Sequence, residues 1–280
     1  MRWFRLARPK HCVKNLLLLL PVVFGRSLFD IDKLRAVGVG FAAFCLLSSA
    51  VYVFNDIMDA PTDRLSEDKK LRPVASGEIS AGAAGIFSLL LALGAFCLDL
   101  LLGVGGWPFL AAYAAVNALY SAGLKNYPIL DVAILSAGFV LRVLYGAAAT
   151  GIEVSRWLVL TVVAFSLFMG LGKRRQEYAA NGPRKSLAAY GSAFLDKNMY
   201  MCVTLGNAFY ALWAIDRASK GSSAIVWTAP LVILICMRYS LDIESGASGD
   251  PVEVFFGDKW LIAAAIVYVA AVGAIIYMVE

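Results

Sequence analysis

The sequence predicts an all-α, polytopic membrane protein of nine transmembrane helices. Three observations carry that prediction. The 280 residues are 60% hydrophobic and only 16% charged, with a mean hydropathy of +0.73. An ordinary soluble domain is about 45–50% apolar and about 25% charged. The apolar runs approach the roughly 20 residues that a membrane-crossing helix needs, and far exceed the roughly 10 of a barrel strand. Finally, Lys and Arg gather at alternate ends of these runs. Soluble, disordered and fibrous classes are excluded, and no nucleic-acid partner is expected.

The nine predicted spans are 13–29, 35–55, 80–101, 106–123, 128–149, 155–173, 198–215, 222–241 and 259–279. The first opens at Lys14, whose ammonium must snorkel to the interface. The second ends in an acidic stretch. Pro73 and Gly77 form a turn ahead of the third, and Ser80 is its N-cap. The fourth leads to Tyr120 and Lys125. The fifth holds Asp131 and Arg142, charges that are expensive in lipid unless paired or facing a polar cavity. Eleven residues apart, they share a helical face, as an ion pair or as substrate contacts. The sixth ends in Lys173-Arg174-Arg175, and the eighth carries Arg238 four residues before Asp242. Trp107, Trp157, Trp213, Trp227 and Trp260 stand near span ends, where interface anchors are expected.

Of the 25 Lys and Arg, 18 fall on the side holding the N-terminus and the loops after spans two, four, six and eight. Six fall on the other side, and Arg142 lies within the membrane. The positive-inside rule places the N-terminus and the long loops in the cytoplasm of a plasma (inner) membrane, with the C-terminus outside. The chain reads as a single membrane domain over 1–280, with loops 56–79 and 174–197 capping a cytoplasm-facing chamber. The Gly- and Ser-containing segment 244–250 reads as a mobile loop. The five cysteines lack metal or redox spacing and read as packing residues. A homo-oligomer is compatible with the sequence.

The strongest local signal is Asn55-Asp56-Ile57-Met58-Asp59-Ala60-Pro61-Thr62-Asp63-Arg64. Helical offsets of 0, 3 and 7 put Asp56, Asp59 and Asp63 on one face. Three carboxylates repel one another unless a cation lies between them. Oxygen-only ligands suit Mg2+, which commonly takes one or two carboxylates plus substrate phosphates. Pro61 disfavours helix at Ala60, so Asp63 is expected off the ideal face. Next comes Lys69-Lys70-Leu71-Arg72-Pro73-Val74-Ala75-Ser76-Gly77-Glu78-Ile79-Ser80. Its cations follow the acids, so the pair of segments can hold a diphosphate.

These two segments resemble the signature of the UbiA family of intramembrane prenyltransferases. The resemblance covers essentially the whole chain, and it implies nine helices with cytoplasmic loops after the second, fourth and sixth. Ordinary members bind a prenyl diphosphate through two Asp-rich loops, each with Mg2+. Here the second position reads Gly170-Leu171-Gly172-Lys173-Arg174-Arg175-Gln176-Glu177-Tyr178, with no aspartate pair. A basic triplet suits direct phosphate binding.

That departure is similar to the phosphoribosyl branch of the family. Arg8-Pro9 with Lys14-Asn15, Tyr120 through Lys125, Asp131, Arg142, Lys173-Arg174 with Glu177, Arg184 through Leu187 with Tyr190, Arg238 with Asp242, and Gly249-Asp250-Pro251 resemble it too. The resemblance implies Mg2+-dependent transfer of 5-phosphoribose from phosphoribosyl pyrophosphate (PRPP) to a polyprenyl phosphate such as decaprenyl phosphate, for lipid-linked pentose donors and envelope glycans. It implies catalytic or metal roles for Asp56, Asp59 and Asp63. Phosphate contacts fall to Lys14, Asn15, Asn55, Arg64, Lys70, Arg72, Tyr120, Lys125, Arg142, Lys173, Arg174, Tyr190 and Arg238, with Asp131, Glu177 and Asp242 as further polar groups. Lys173 with Glu177, and Arg238 with Asp242, also have the spacing of local salt bridges. Arg175 reads as a plain positive-inside charge. An ordinary prenyltransferase acting on a quinone or haem precursor is the rival enzyme reading, and a transporter the rival from another class.

Overall fold

The computed structural model describes residues 2–67, 69–103, 105–180, 182, 185–219, 223–246 and 250–278, and every regular element among them is helical. Arg184 and residues 247–249, which carry part of the expected mobile loop, lie outside the described residues.

Helix α1 spans Arg2–Ala7. Pro9–Leu19 is then wound as a 3₁₀ helix and α2 (Leu20–Phe24) follows. The first predicted span is therefore not one α-helix. Pro9 and Pro21 each open a new stretch, as residues without an N–H do best. Helix α3 (Ile31–Asp63) is capped by Asp30, whose carboxylate accepts from the Lys33 N–H at 3.2 Å. It outruns its predicted end at 55 and passes straight through Pro61. So close to the terminus, Pro61 removes one ladder bond without ending the helix. Asp56, Asp59 and Asp63 accordingly stand on helix, and Asp63 stays on the face from which Pro61 was expected to displace it.

Ser80 caps α4 (Ala81–Leu102) as predicted, accepting from the Ala83 N–H at 3.3 Å. Gly77, at φ +83°, makes the preceding turn. Helix α5 spans Trp107–Ala122 and α6 spans Leu130–Thr150. Helix α7 (Arg156–Ala179) runs past the predicted end at 173, so Arg174 to Glu177 are helical rather than loop. Then come α8 (Ser192–Ala218), a 3₁₀ turn (Ser223–Thr228), α9 (Ala229–Glu244), α10 (Pro251–Gly257) and α11 (Lys259–Tyr277).

Among the described residues, six stretches are long and apolar enough to cross a membrane: α3, α4, α6, α7, Ser223–Glu244 and α11. The other predicted spans fall on Pro9–Phe24, α5 and α8, which are helical but outside these six. Only 11% of the most apolar window of α4 is buried. Leu89, Leu90 and Leu93 on it are more than half exposed, which lipid tolerates and water does not. Trp213 departs from its expected role. It is 1% exposed and packs on Tyr210, so it is a core residue and not an interface anchor.

The contacts divide the chain into two units. The first comprises Met1–Lys125 and Leu141–Glu153, the second Asn126–Val140 and Val154–Glu280. The first unit's main core is built on Leu18, Phe44, Leu47, Leu110, Tyr113 and Tyr145. A smaller cluster of Leu6, Val53, Val74 and Ile79 backs the end of α3. In the second unit Phe168, Leu195, Met199, Tyr239 and Ile243 form the core.

Candidate functional site

The last two turns of α3 present Asp56, Asp59 and Asp63 in the first unit. Asp56 and Asp63 are buried, at 3% and 4% exposure. Each acid takes a cation. Arg8 Nη2 lies 2.5 Å from Asp56 Oδ1. Arg72 Nη1 bridges two of the acids, 2.7 Å from Asp63 Oδ2 and 3.3 Å from Asp56 Oδ1. Lys125 pairs with Asp59. The Ser121 hydroxyl donates to Asn55 Oδ1. Arg64 Nε donates to the Ala75 carbonyl at 3.1 Å, which holds the Arg72 turn to the helix end. Arg72 and Lys125, both named from the sequence, thus stand beside the acids. Lys70 differs. It is exposed and pairs with Glu67 at 2.7 Å, so it is not gathered with the acids.

Arg8, which sequence reasoning left out of the candidate set, is gathered with the acids. Its backbone is left-handed, at φ 50° and ψ 55°. This unusual geometry turns the chain between α1 and the 3₁₀ segment, and the guanidinium also lies 5.5 Å from the Tyr52 ring centre. The Arg8-Pro9 pair was the available signal, because proline disfavours helix in the residue before it.

Along the same unit, Asn15 is fully buried and central to a second network. Its Nδ2 donates to Ser48 Oγ at 3.1 Å and to Cys45 Sγ at 3.2 Å. Its Oδ1 accepts from Arg142 Nε at 2.7 Å. Arg142 Nη2 donates to the Tyr113 hydroxyl at 3.0 Å, and the guanidinium lies over the Phe44 and Tyr113 rings. Lys14 and Tyr120 are half-buried.

Asp131 anchors a separate network in the second unit. It is fully buried and accepts from Arg174 Nε at 2.6 Å, Ser186 Oγ at 3.0 Å and the Tyr190 hydroxyl at 2.7 Å. Arg174 Nη1 also donates to Glu177 at 2.6 Å. The Tyr190 hydroxyl accepts from the Ile129 N–H at 2.6 Å. Burial first, and then the Asp131 carboxylate, push the Tyr190 phenol up to about 12 despite that N–H. Asp131 and Arg142, left open as an ion pair or as substrate contacts, do not pair with each other. About 16 Å of helix rise separates them, and each is satisfied by other partners. Arg174 has no exposed surface, which sets it apart from the expected direct phosphate contact.

Around it, Lys173 Nζ is 4.0 Å from Asp250, and Arg175, read from the sequence as a plain positive-inside charge, lies 2.8 Å from Asp196. Arg238 pairs with Asp258, whose carboxyl it holds below the usual range, and approaches Asp242 at 3.5 Å. The first of these partners was missed because it lies on the far side of α10.

The UbiA prenyltransferase family model matches residues 18–257. The chain belongs to that family. The decaprenyl-phosphate phosphoribosyltransferase of Mycolicibacterium smegmatis is 33% identical, over 96% of this chain and 91% of that protein. The protein of the same name from Corynebacterium glutamicum is 34% identical, over 97% and 85%. Among UbiA-family structures, the UbiA homolog from Archaeoglobus fulgidus bound to DMAPP and Mg2+ superposes with a TM-score of 0.75 at 18% identity, covering 99% of this chain and all of that one. At that identity the likeness establishes the fold.

Among the described residues no three His, Cys, Asp or Glu side chains converge into a metal cage. The donor chemistry of Asp56 and Asp59 nevertheless fits Mg2+ in its common mode, with one or two carboxylates and the remaining ligands from phosphate and water. A metal held there would compete with Arg8 and Lys125, which pair with those two carboxylates.

Proposed function

We propose that this protein transfers 5-phosphoribose from PRPP to a polyprenyl phosphate, in an Mg2+-dependent reaction that releases diphosphate. The observation that carries the reading is the 33–34% identity, over nearly the whole chain, to relatives named decaprenyl-phosphate phosphoribosyltransferase. The site chemistry supports it. An acid face lined by Arg8, Arg72 and Lys125 matches a diphosphate. The second position offers Lys173 and a buried Arg174 where an ordinary prenyltransferase has aspartates.

In this reading Asp56 and Asp59 would hold Mg2+, with Asp63 fixing Arg72 beside them, and the ion when bound would supply charge neutralisation to the leaving diphosphate. Arg8, Arg72 and Lys125 orient the leaving diphosphate and stabilise its growing charge. The bond from ribose C1 to the diphosphate oxygen breaks, and a bond from C1 to an oxygen of the lipid phosphate forms, through an oxocarbenium-like state by analogy with other glycosyl transfers. The acceptor phosphate is already ionised near neutral pH, so no strong general base is required. Asn55, Arg64, Asn15, Arg142 and Lys14 line or brace the same unit, and Tyr120 and Lys173 remain half-buried candidates for phosphate contact.

The reading includes nine membrane crossings in one domain over 1–280, in the plasma membrane, with the N-terminus and the loops at 64–79 and 180–191 cytoplasmic and the C-terminus outside. The product is a precursor of lipid-linked pentose donors for envelope glycans. The transporter reading loses its motive, because Asp131 and Arg142 are both engaged in protein networks.

The deciding experiment supplies purified protein with labelled PRPP, Mg2+ and a panel of polyprenyl phosphates, and in parallel with prenyl diphosphate and an aromatic acceptor. Label should move into a lipid that retains the acceptor phosphate. Prenylation of the aromatic compound without any labelled lipid would replace the phosphoribosyl reading with ordinary prenyl transfer.

A further inference from the structure

Helix α1 and the turn after α3 carry cations and apolar side chains that the acid face does not use. Leu6 is fully buried in one cluster with Val74 and Ile79, and Trp3 meets the Phe87 ring edge-on at 5.0 Å. The short helix is therefore seated on the 71–79 segment and on α4. Two bonds fix its register. Arg5 Nη2 donates to the Leu71 carbonyl at 2.9 Å, and Arg2 Nη1 donates to the Glu78 carbonyl at 3.2 Å.

That seating leaves the rest of α1 outward. Phe4 is 69% exposed, and Leu71 is 67% exposed. Arg2 and Arg5 are exposed on either side of Phe4, as are Lys69 and Lys70 just before Leu71. Among the described residues of this surface, the acids Glu67 and Glu78 are already engaged. Glu67 takes Lys70 at 2.7 Å, and Glu78 stands 3.8 Å from Arg5. Exposed pairs of this kind contribute little and exchange readily. Water is a poor neighbour for Phe4 and Leu71, and hydrocarbon is a poor one for arginine. The boundary between lipid headgroups and acyl chains suits both.

We propose that α1 and the 69–71 turn form a docking surface for anionic phospholipids of the cytoplasmic leaflet. Phe4 and Leu71 enter the acyl-chain boundary. Arg2, Arg5, Lys69 and Lys70 meet the lipid phosphates through charge-assisted hydrogen bonds. The excess of cations selects an anionic headgroup over a zwitterionic one. The sidedness is that of the proposed topology; the binding does not depend on it. Lys70, which is not gathered with the acids, has its place on this surface. Helix α1 also runs directly into Arg8, which holds Asp56, so anchoring α1 limits where Arg8 moves. That consequence rests on the proposed function.

The test is native mass spectrometry of the full-length protein in detergent, titrated with phosphatidylglycerol and, separately, with phosphatidylcholine. Phosphatidylglycerol should bind more tightly. The double variant Arg2→Gln, Arg5→Gln should weaken its binding about fivefold for each arginine removed, and roughly 25-fold together. Phe4→Ser, which keeps the charge, should weaken both lipids. Lys185→Gln with Lys197→Gln removes the same charge from exposed positions of the second unit and should leave the phosphatidylglycerol affinity unchanged. Melting curves confirm that every variant is folded. Equal affinity for the two lipids in the wild type would overturn the proposal, as would an equal loss in the two double variants. A polyprenyl phosphate that binds more tightly than phosphatidylglycerol, and loses that affinity in the Arg2, Arg5 variant, would assign the surface to the acceptor lipid instead. Binding is read without turnover, so it stands or falls separately from the transfer assay.

Discussion

Arg174 is wholly buried between Asp131 and Glu177, so removing its guanidinium strands a buried carboxylate. Breaking one partner of such a pair typically costs about 3–5 kcal/mol. Arg174→Ala should therefore lower the melting temperature sharply, whereas Lys173→Ala, at a half-buried lysine, should leave the melt unchanged and impair PRPP-dependent turnover. Equal melts for the two variants would return Arg174 to the role of a substrate contact. Tyr190 tests the same network by pH. Its folded pKa is raised, so the stability it contributes is complete below the ordinary tyrosine value of 10 and is lost as pH rises through about 12. Tyr190→Phe should remove that component from an alkaline unfolding curve. At the acid face, Asp56→Ala or Asp59→Ala should abolish nearly all turnover in a folded protein, as chelator should in the wild type; full activity in chelator would refute a metal role. The acid face was legible because helical offsets alone align its carboxylates. Their counter-charges were legible only in part: Arg72 follows in sequence, but Arg8 arrives from 48 residues upstream. No periodicity reports a tertiary partner.

Helix limits were legible where composition changes and misread where it does not. Ser80 marks the start of α4 by its hydroxyl, but the polar ends of α3 and α7 hid several more helical residues behind charge. Those charges are satisfied in helical geometry by partners from other elements, which a span-length argument cannot see. The first predicted span was misread for the opposite reason. Its apolar run looks continuous, yet Pro9 and Pro21 divide it into 3₁₀ and α segments. The 3₁₀ segment is held by an unusually close approach. A Cβ built on Gly146 of α6 would lie 2.2 Å from the Leu18 carbonyl oxygen, which is backbone and cannot rotate away. Gly146→Ala should therefore force the two elements apart and cost about 1–3 kcal/mol, the usual scale of overpacking. Gly82 is the control, because a methyl group there would meet nothing within 4 Å, and Gly82→Ala should not destabilise α4. Chemical unfolding in a mixed detergent reads both.

At the scale of the whole molecule, charge asymmetry and helix content lead to one testable arrangement. Eighteen of the 25 Lys and Arg fall on one side of the proposed nine crossings. Each lysine or arginine resists translocation by about +2.5 to +3.5 kcal/mol at the membrane centre on an insertion scale, which is why the proposed topology keeps the more basic loops in the cytoplasm. On that topology the acid face at the end of α3 lies at a cytoplasmic helix end, where soluble PRPP would reach it without transport. A single cysteine introduced by Ser66→Cys, just past α3, should react with a membrane-impermeant maleimide only after the cells are opened. One introduced by Ser219→Cys, at the end of α8, should react in intact cells. Both belong in a background from which the five native cysteines are removed, with the transfer assay confirming that each carrier remains competent. The odd number of crossings makes the two positions discriminating: loss or gain of one crossing between them would put both labels on the same side. Labelling of Ser66→Cys from outside would invert the topology and require PRPP to act beyond the membrane. Labelling of both only after the cells are opened would instead correct the number of crossings between α3 and α8 while leaving the acid face in the cytoplasm.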